Sequence, residues 1–128
     1  MLFMSQEHVD AMNAVLLDDA AVRTAAAALP RPYLLAYRLS DGPGGETVHW
    51  SVAFGPTATF GLAPVADADA TVVGDWRDMI LMTTAGRRGT THEADLSVEG
   101  DAAVIELVRP VLETARAVAT FDVDFPDV

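Results

Sequence analysis

Residues 33–54 constrain this chain more than any other stretch. Tyr33, Leu35, Tyr37 and Leu39 fall on alternate positions with Arg38 among the others, and Val48, Trp50, Val52 and Phe54 alternate with His49 and Ser51. Successive side chains of an extended strand point to opposite faces, so each segment carries one face rich in aromatic and aliphatic groups. The intervening Asp41-Gly42-Pro43-Gly44-Gly45 is turn chemistry. The pattern predicts an antiparallel hairpin, Tyr33–Leu39 with Thr47–Phe54. Its apolar face requires a covering layer from elsewhere in the chain.

Helical patterns on both sides supply that layer. Ser5 is placed to cap a helix running to about Ala28, with Val9, Met12, Leu16 and Ala20 on one stripe and Asp19 and Arg23 spaced to pair. Pro30 and Pro32 end it. A third strand is expected over Ala58–Leu62 and a fourth over Ala70–Val73. Asp75 is then positioned to cap a helix from Trp76 to Ala85 that stops at Gly86. A fifth strand is expected over Ala94–Val98. Asp101 opens a last helix, about 101–119, whose apolar stripe holds Val104, Leu107, Val108, Val111 and Leu112. Pro110 lies inside that pattern and is expected to kink or split it near 106–110. The tail, 121–128, alternates apolar and acidic residues and reads as loosely held.

This order is the signature of an α+β fold, a single curved five-stranded sheet covered by helices. Its 128 residues suit one domain with its own core. No segment reaches the ~20 apolar residues of a membrane span, and MLFMSQEH lacks the basic start of a signal peptide. Cysteine is absent, which fits a reducing cytoplasm and excludes disulfides and thiolate metal sites. The net charge of −11 comes from 19 acidic residues against 8 arginines, with no lysine. Such a surface disfavours nucleic acid and sustained docking on anionic bilayers.

Polar chemistry is sparse. His92-Glu93-x-Asp95 is the densest titratable cluster, but a water-facing strand edge accounts for it, and no HExxH or DxDxDG spacing occurs. His8 and His49 come from other regions. The glycines of 42–45 sit between two strands rather than between strand and helix, so they give no phosphate-binding signal. Arg87-Arg88 suits a helix C-terminus better than an anion site. The expectation is therefore no catalytic residue, no metal and no cofactor.

The segments around the last two helices have a further pattern. Ala68-Asp69 opens a strand, a capped helix ends at Gly86, and Leu96, Val98 and Gly100-Asp101 form a strand and turn. With the hairpin upstream, this resembles the sterol carrier protein 2 (SCP2) family of lipid-binding domains over nearly the whole chain. Ala94-Asp95 departs from the Gly-Lys or Gly-Arg usual before that leucine, which counts against fatty acyl-CoA as a ligand. The resemblance implies an apolar ligand held between sheet and helices. Candidate lining residues are Trp50, Phe54, Phe60, Trp76, Met79, Met82, Val104, Leu107 and Val111. The implied activity is non-catalytic binding or carriage of a lipid, sterol or similar hydrophobic metabolite. Two alternatives stay open at this point: a protein-interaction module with a filled core, and a small enzyme acting on an apolar substrate.

Overall fold

The computed structural model describes residues 1–128. The hairpin forms as read. Strand β1, Tyr33–Ser40, pairs antiparallel with β2, Val48–Phe54, in a register that sets Tyr33, Leu35, Tyr37 and Leu39 opposite Phe54, Val52, Trp50 and Val48. Strand β3, Ala58–Gly61, extends the sheet beyond β2, and β4, Ala70–Asp75, joins β1 in parallel. Strand β5, Ser97–Gly100, completes an open mixed sheet of order β3-β2-β1-β4-β5. The 62–69 connection crosses the polar face of the sheet, where Pro64, Val65 and Ala66 lie near Arg38, His49 and Thr71. Helices cover the apolar face, so one core forms there around Leu35, Leu39, Val52, Phe54 and Ile80.

The N-terminal helix departs from expectation. It is two helices, α1 (Gln6–Leu16) and α2 (Ala20–Ala27). Asp19 does not pair with Arg23; its carboxylate accepts the Val22 N–H at 3.0 Å, and Arg23 donates instead to the Leu17 carbonyl. An aspartate is worth more capping orphan amides than inside a helix, so the chain breaks there. Helix α1 then lies against β3. Its Asn13 donates to the Phe60 carbonyl at 2.9 Å and accepts the Phe60 N–H at 2.8 Å, which satisfies an edge strand that would otherwise offer itself for pairing. Thr57 donates to the Leu16 carbonyl at 2.6 Å and closes the same joint.

Helix α3, Trp76–Arg87, is capped by Asp75 as predicted but runs through Gly86. The stop is Gly89, at φ 73°, with the Thr90 N–H on the Ala85 carbonyl and the Gly89 N–H on that of Gly86. That 6→1 and 5→2 pair is a Schellman ending, and it needs its left-handed residue three positions later than the sequence reading placed it. The fifth strand is likewise shifted, to 97–100.

Helix α4, Ala103–Val118, is continuous through Pro110, which corrects the expected interruption. Pro110 is exposed, as is Glu106 one turn before it, so the carbonyl left without a donor can turn to water. Val104, Val108, Val111, Leu112 and Ala115 form the buried stripe. Asp101 accepts the Ala103 N–H at 3.0 Å and so serves the helix start.

The residues behind the family resemblance hold the sheet together. Asp69 accepts the Leu34 N–H at 2.8 Å and the Arg31 guanidinium at 3.0 Å, while its own carbonyl takes the Asp101 N–H. The Leu34 hydrogen bond, then Arg31, lower the Asp69 pKa below the ordinary carboxylate value. Gly100 sits at φ 85°, and a Cβ there would stand 2.7 Å from the Asp69 carbonyl oxygen. Both observations make Ala68-Asp69 and Gly100-Asp101 a joint between β1, β4 and β5.

Candidate functional site

The apolar sheet face is unevenly covered. Helix α3 packs on β4 and β1, α1 and α2 on β3, and α4 on β1 and β3. No helix packs closely on β2, the strand that carries Trp50. Side chains from the two chain ends cover it instead. Phe3 meets the Trp50 ring edge-on at 5.7 Å between centroids and stacks on Phe125 at 4.7 Å. Tyr37 flanks Trp50 from β1 at 6.2 Å.

The ends are held by pairing to each other. Leu2 bridges Asp124 in parallel, with the Phe3 N–H on the Asp124 carbonyl at 2.9 Å and the Asp124 N–H on the Met1 carbonyl at 2.8 Å. The tail, expected to be loosely held, is thus tied in by this pairing and by Phe121 and Phe125 packed on the core. The Arg87 guanidinium lies over the Phe125 ring at 5.1 Å, so the first arginine of Arg87-Arg88 meets the tail.

His8 sits beneath this cover and is only 2% exposed. Its Nδ1 accepts the Met4 N–H at 2.9 Å, which places the ring proton of the neutral form on Nε2. Phe3 lies on one side at 5.7 Å and Phe121 meets the ring edge-on at 6.2 Å. Burial, then the charges of Arg87 and the N-terminal amino group, lower the His8 pKa below 6.5. The imidazole is neutral at neutral pH.

The residues predicted to line a site divide into three groups. Trp50, Phe54, Met79, Val104 and Val111 are buried in the shared core. Phe60, Trp76 and Met82 are partly buried against it. Leu107 is 44% exposed, so it does not face the sheet; the buried stripe of α4 runs through Val104, Val108 and Val111 and leaves 107 on the outer side. Sequence reasoning passed over Phe3, Tyr37, Phe121 and Phe125 as site residues. The end segments are too short for periodicity to mark a buried face. His8 could have been found, because it stands one turn before Met12 and two before Leu16 on the buried stripe of α1.

Two of the surface concavities bear on the site. One of about 400 Å³ is bounded by Ser40, Gly74, Asp75, Asp78, Asp95 and Ser97, and is polar. His92 meets Asp78, one of these lining residues, at 3.1 Å rather than gathering Glu93 and Asp95. No group of three or more histidine and carboxylate side chains comes together in a way that could hold a metal ion. The other, about 180 Å³, lies under the 64–66 crossover with Arg38, His49 and Glu99, and touches Tyr37 and Trp50. The Arg38–Glu99 ion pair, 2.6 Å, lies on the same face. Phe54, Met79, Val104 and Val111 line neither.

No family model and no curated protein sequence matches this chain. Solved structures do. An SCP2 protein of ubiquinone synthesis, UbiJ, is 21% identical with a TM-score of 0.52, over 91% of this chain and 97% of its own. A sterol carrier protein 2 crystal structure is 18% identical with a TM-score of 0.56, over 91% and 96%. A conserved hypothetical protein of Thermus thermophilus, for which a sterol carrier role is suggested, is 19% identical with a TM-score of 0.55, over 94% and 92%. Identity at this level speaks to architecture, and on that ground the chain has the sterol carrier protein 2 fold.

Proposed function

We propose that the chain binds and carries an apolar small molecule on the β1–β2 face, between the sheet and the helices. The observation that carries this reading is the cover over Trp50. The Trp50 position of an inner strand, on which none of the main helix contacts falls, is closed by Phe3 and Phe125, side chains from two short end segments. Segments with few backbone hydrogen bonds open at low free-energy cost, whereas helices packed on the core do not. Moving them aside uncovers Trp50 and the Tyr37 ring that flanks it, an aromatic surface suited to an apolar ligand. Likeness of fold to SCP2 proteins supports the same reading, although a fold alone does not fix a function.

Binding of an environment-sensitive fatty-acid probe, and its displacement by unlabelled lipid or sterol, tests this directly. Trp50→Phe should weaken the probe about tenfold or less, because an aromatic ring remains, and Trp50→Ala should weaken it more. Native mass spectrometry of the protein purified from its own host should retain a hydrophobic adduct. A protein partner in place of that adduct, with no probe binding, would favour an interaction module. Turnover of the added lipid would favour an enzyme.

A further inference from the structure

We infer that His8 is a latch, coupling proton uptake on its ring to release of the two chain-end segments from the Trp50 face. The geometry is specific. Met4 occupies a left-handed conformation at φ 54°, which side-chain-bearing residues seldom adopt, and its N–H is held by His8 Nδ1 at 2.9 Å. That bond orients the arm that carries Phe3 onto Trp50, and Phe3 in turn stacks on Phe125 of the tail. The imidazole also touches the tail directly through Phe121. One ring thus contacts both halves of the cover.

Protonation puts a hydrogen on Nδ1, leaving two donors, Met4 N–H and Nδ1–H, facing each other. It also places a cation between two phenylalanine rings without a carboxylate on the imidazole. The charged groups around it are unhelpful. Arg87 at the end of α3 and the N-terminal amino group both repel a second cation. Asp124 of the tail is exposed and 3.8 Å from the amino group, while Glu7 on α1 and Asp122 on the tail are exposed. A histidine whose closed-state pKa lies below its free value of 6.5 takes up a proton more readily once released. The contribution of His8 to closure is therefore fully present above about 6.5 and is lost as pH falls below it. Its meaning as a ligand gate rests on the binding reading above; the latch itself does not.

Nuclear magnetic resonance of the full chain, titrated from about pH 8 to about pH 5, reads the latch without any ligand. The His8 ring should titrate below the free imidazole value of 6.5. Resonances of Phe3, Met4, Phe121 and Phe125 should move on the His8 curve while those of β1 and β4 stay fixed. Protection of the Met4 amide, corrected for intrinsic exchange, should fall about tenfold for each unit by which the closed-state pKa is depressed. In His8→Phe, which cannot titrate, the end segments should show no such step. Chain-end signals that stay fixed while His8 titrates, or a His8 ring that fails to titrate in that range, would overturn the proposal. So would a step that persists in the variant. Should His8→Phe fail to fold, the match between the His8 midpoint and the chain-end midpoint in the wild type decides alone. A lipid probe that never binds refutes the gate's purpose and leaves these outcomes intact.

Discussion

At the residue scale, two positions give sharp expectations. Gly100 combines φ 85° with a Cβ position 2.7 Å from the Asp69 carbonyl. Gly100→Ala must strain the backbone and open the β4–β5 joint, so it should cost about 1–3 kcal/mol, measured by urea unfolding. Asp69 has a pKa held low by the Leu34 N–H and Arg31. A depressed carboxylate adds stability that is fully present above its unfolded value, near 3.8, and is lost as pH falls through the folded value. Asp69→Asn should therefore be less stable at neutral pH and should flatten the loss of stability between about pH 4 and pH 2. If its unfolding free energy over that acid range tracks the wild type at constant offset, the assignment is wrong.

Elements show where pattern and packing part company. The apolar stripe of α4 marked its buried face except at Leu107, yet pattern alone does not say whether an interior proline breaks a helix. Here Pro110 and Glu106 are both exposed residues, and tertiary burial of Val104, Val108, Val111 and Leu112 holds the helix through the proline. Pro110→Ala should restore the missing hydrogen bond and raise stability by about 1–3 kcal/mol. Calorimetry showing a lower midpoint would contradict this. The α1–β3 joint offers the opposite case. Asn13→Ala strips both partners from the Phe60 backbone and should cost about 1–3 kcal/mol, with faster exchange of the Phe60 amide as its local signature. Nothing in the sequence near Asn13 announces that role, because its partner lies 47 residues away.

For the whole molecule, the decisive feature is that the two ends meet. Removing residues 121–128 takes away Phe121, Phe125 and the Asp124 pairing, and so should leave Trp50 and Phe3 partly uncovered. The shortened chain should stay folded through the sheet and α4, bind a hydrophobic dye more strongly, and emit at longer wavelength. Unchanged dye binding would mean that the tail does not cover the face. Loss of Asp122, Asp124 and Asp127 takes the net charge from −11 to −8, and the shortened chain should still stay dispersed at neutral pH rather than aggregate through the new patch.

The sequence by itself determined the hairpin, its apolar face, the Asp75 cap and the α+β order, because these depend on spacings of a few residues. Asp69 and Gly100-Asp101 were marked only through the resemblance to a known family, because the contacts they make reach 35 and 38 residues along the chain. Only the tertiary structure decided which face of α4 left Leu107 outside, why Asp19 caps a second helix rather than pairing with Arg23, and what covers Trp50. The physical reason is reach. Hydrophobic burial has no direction along the chain, so Phe3 and Phe125, 122 positions apart, can close one site without any periodic trace in the residues between them.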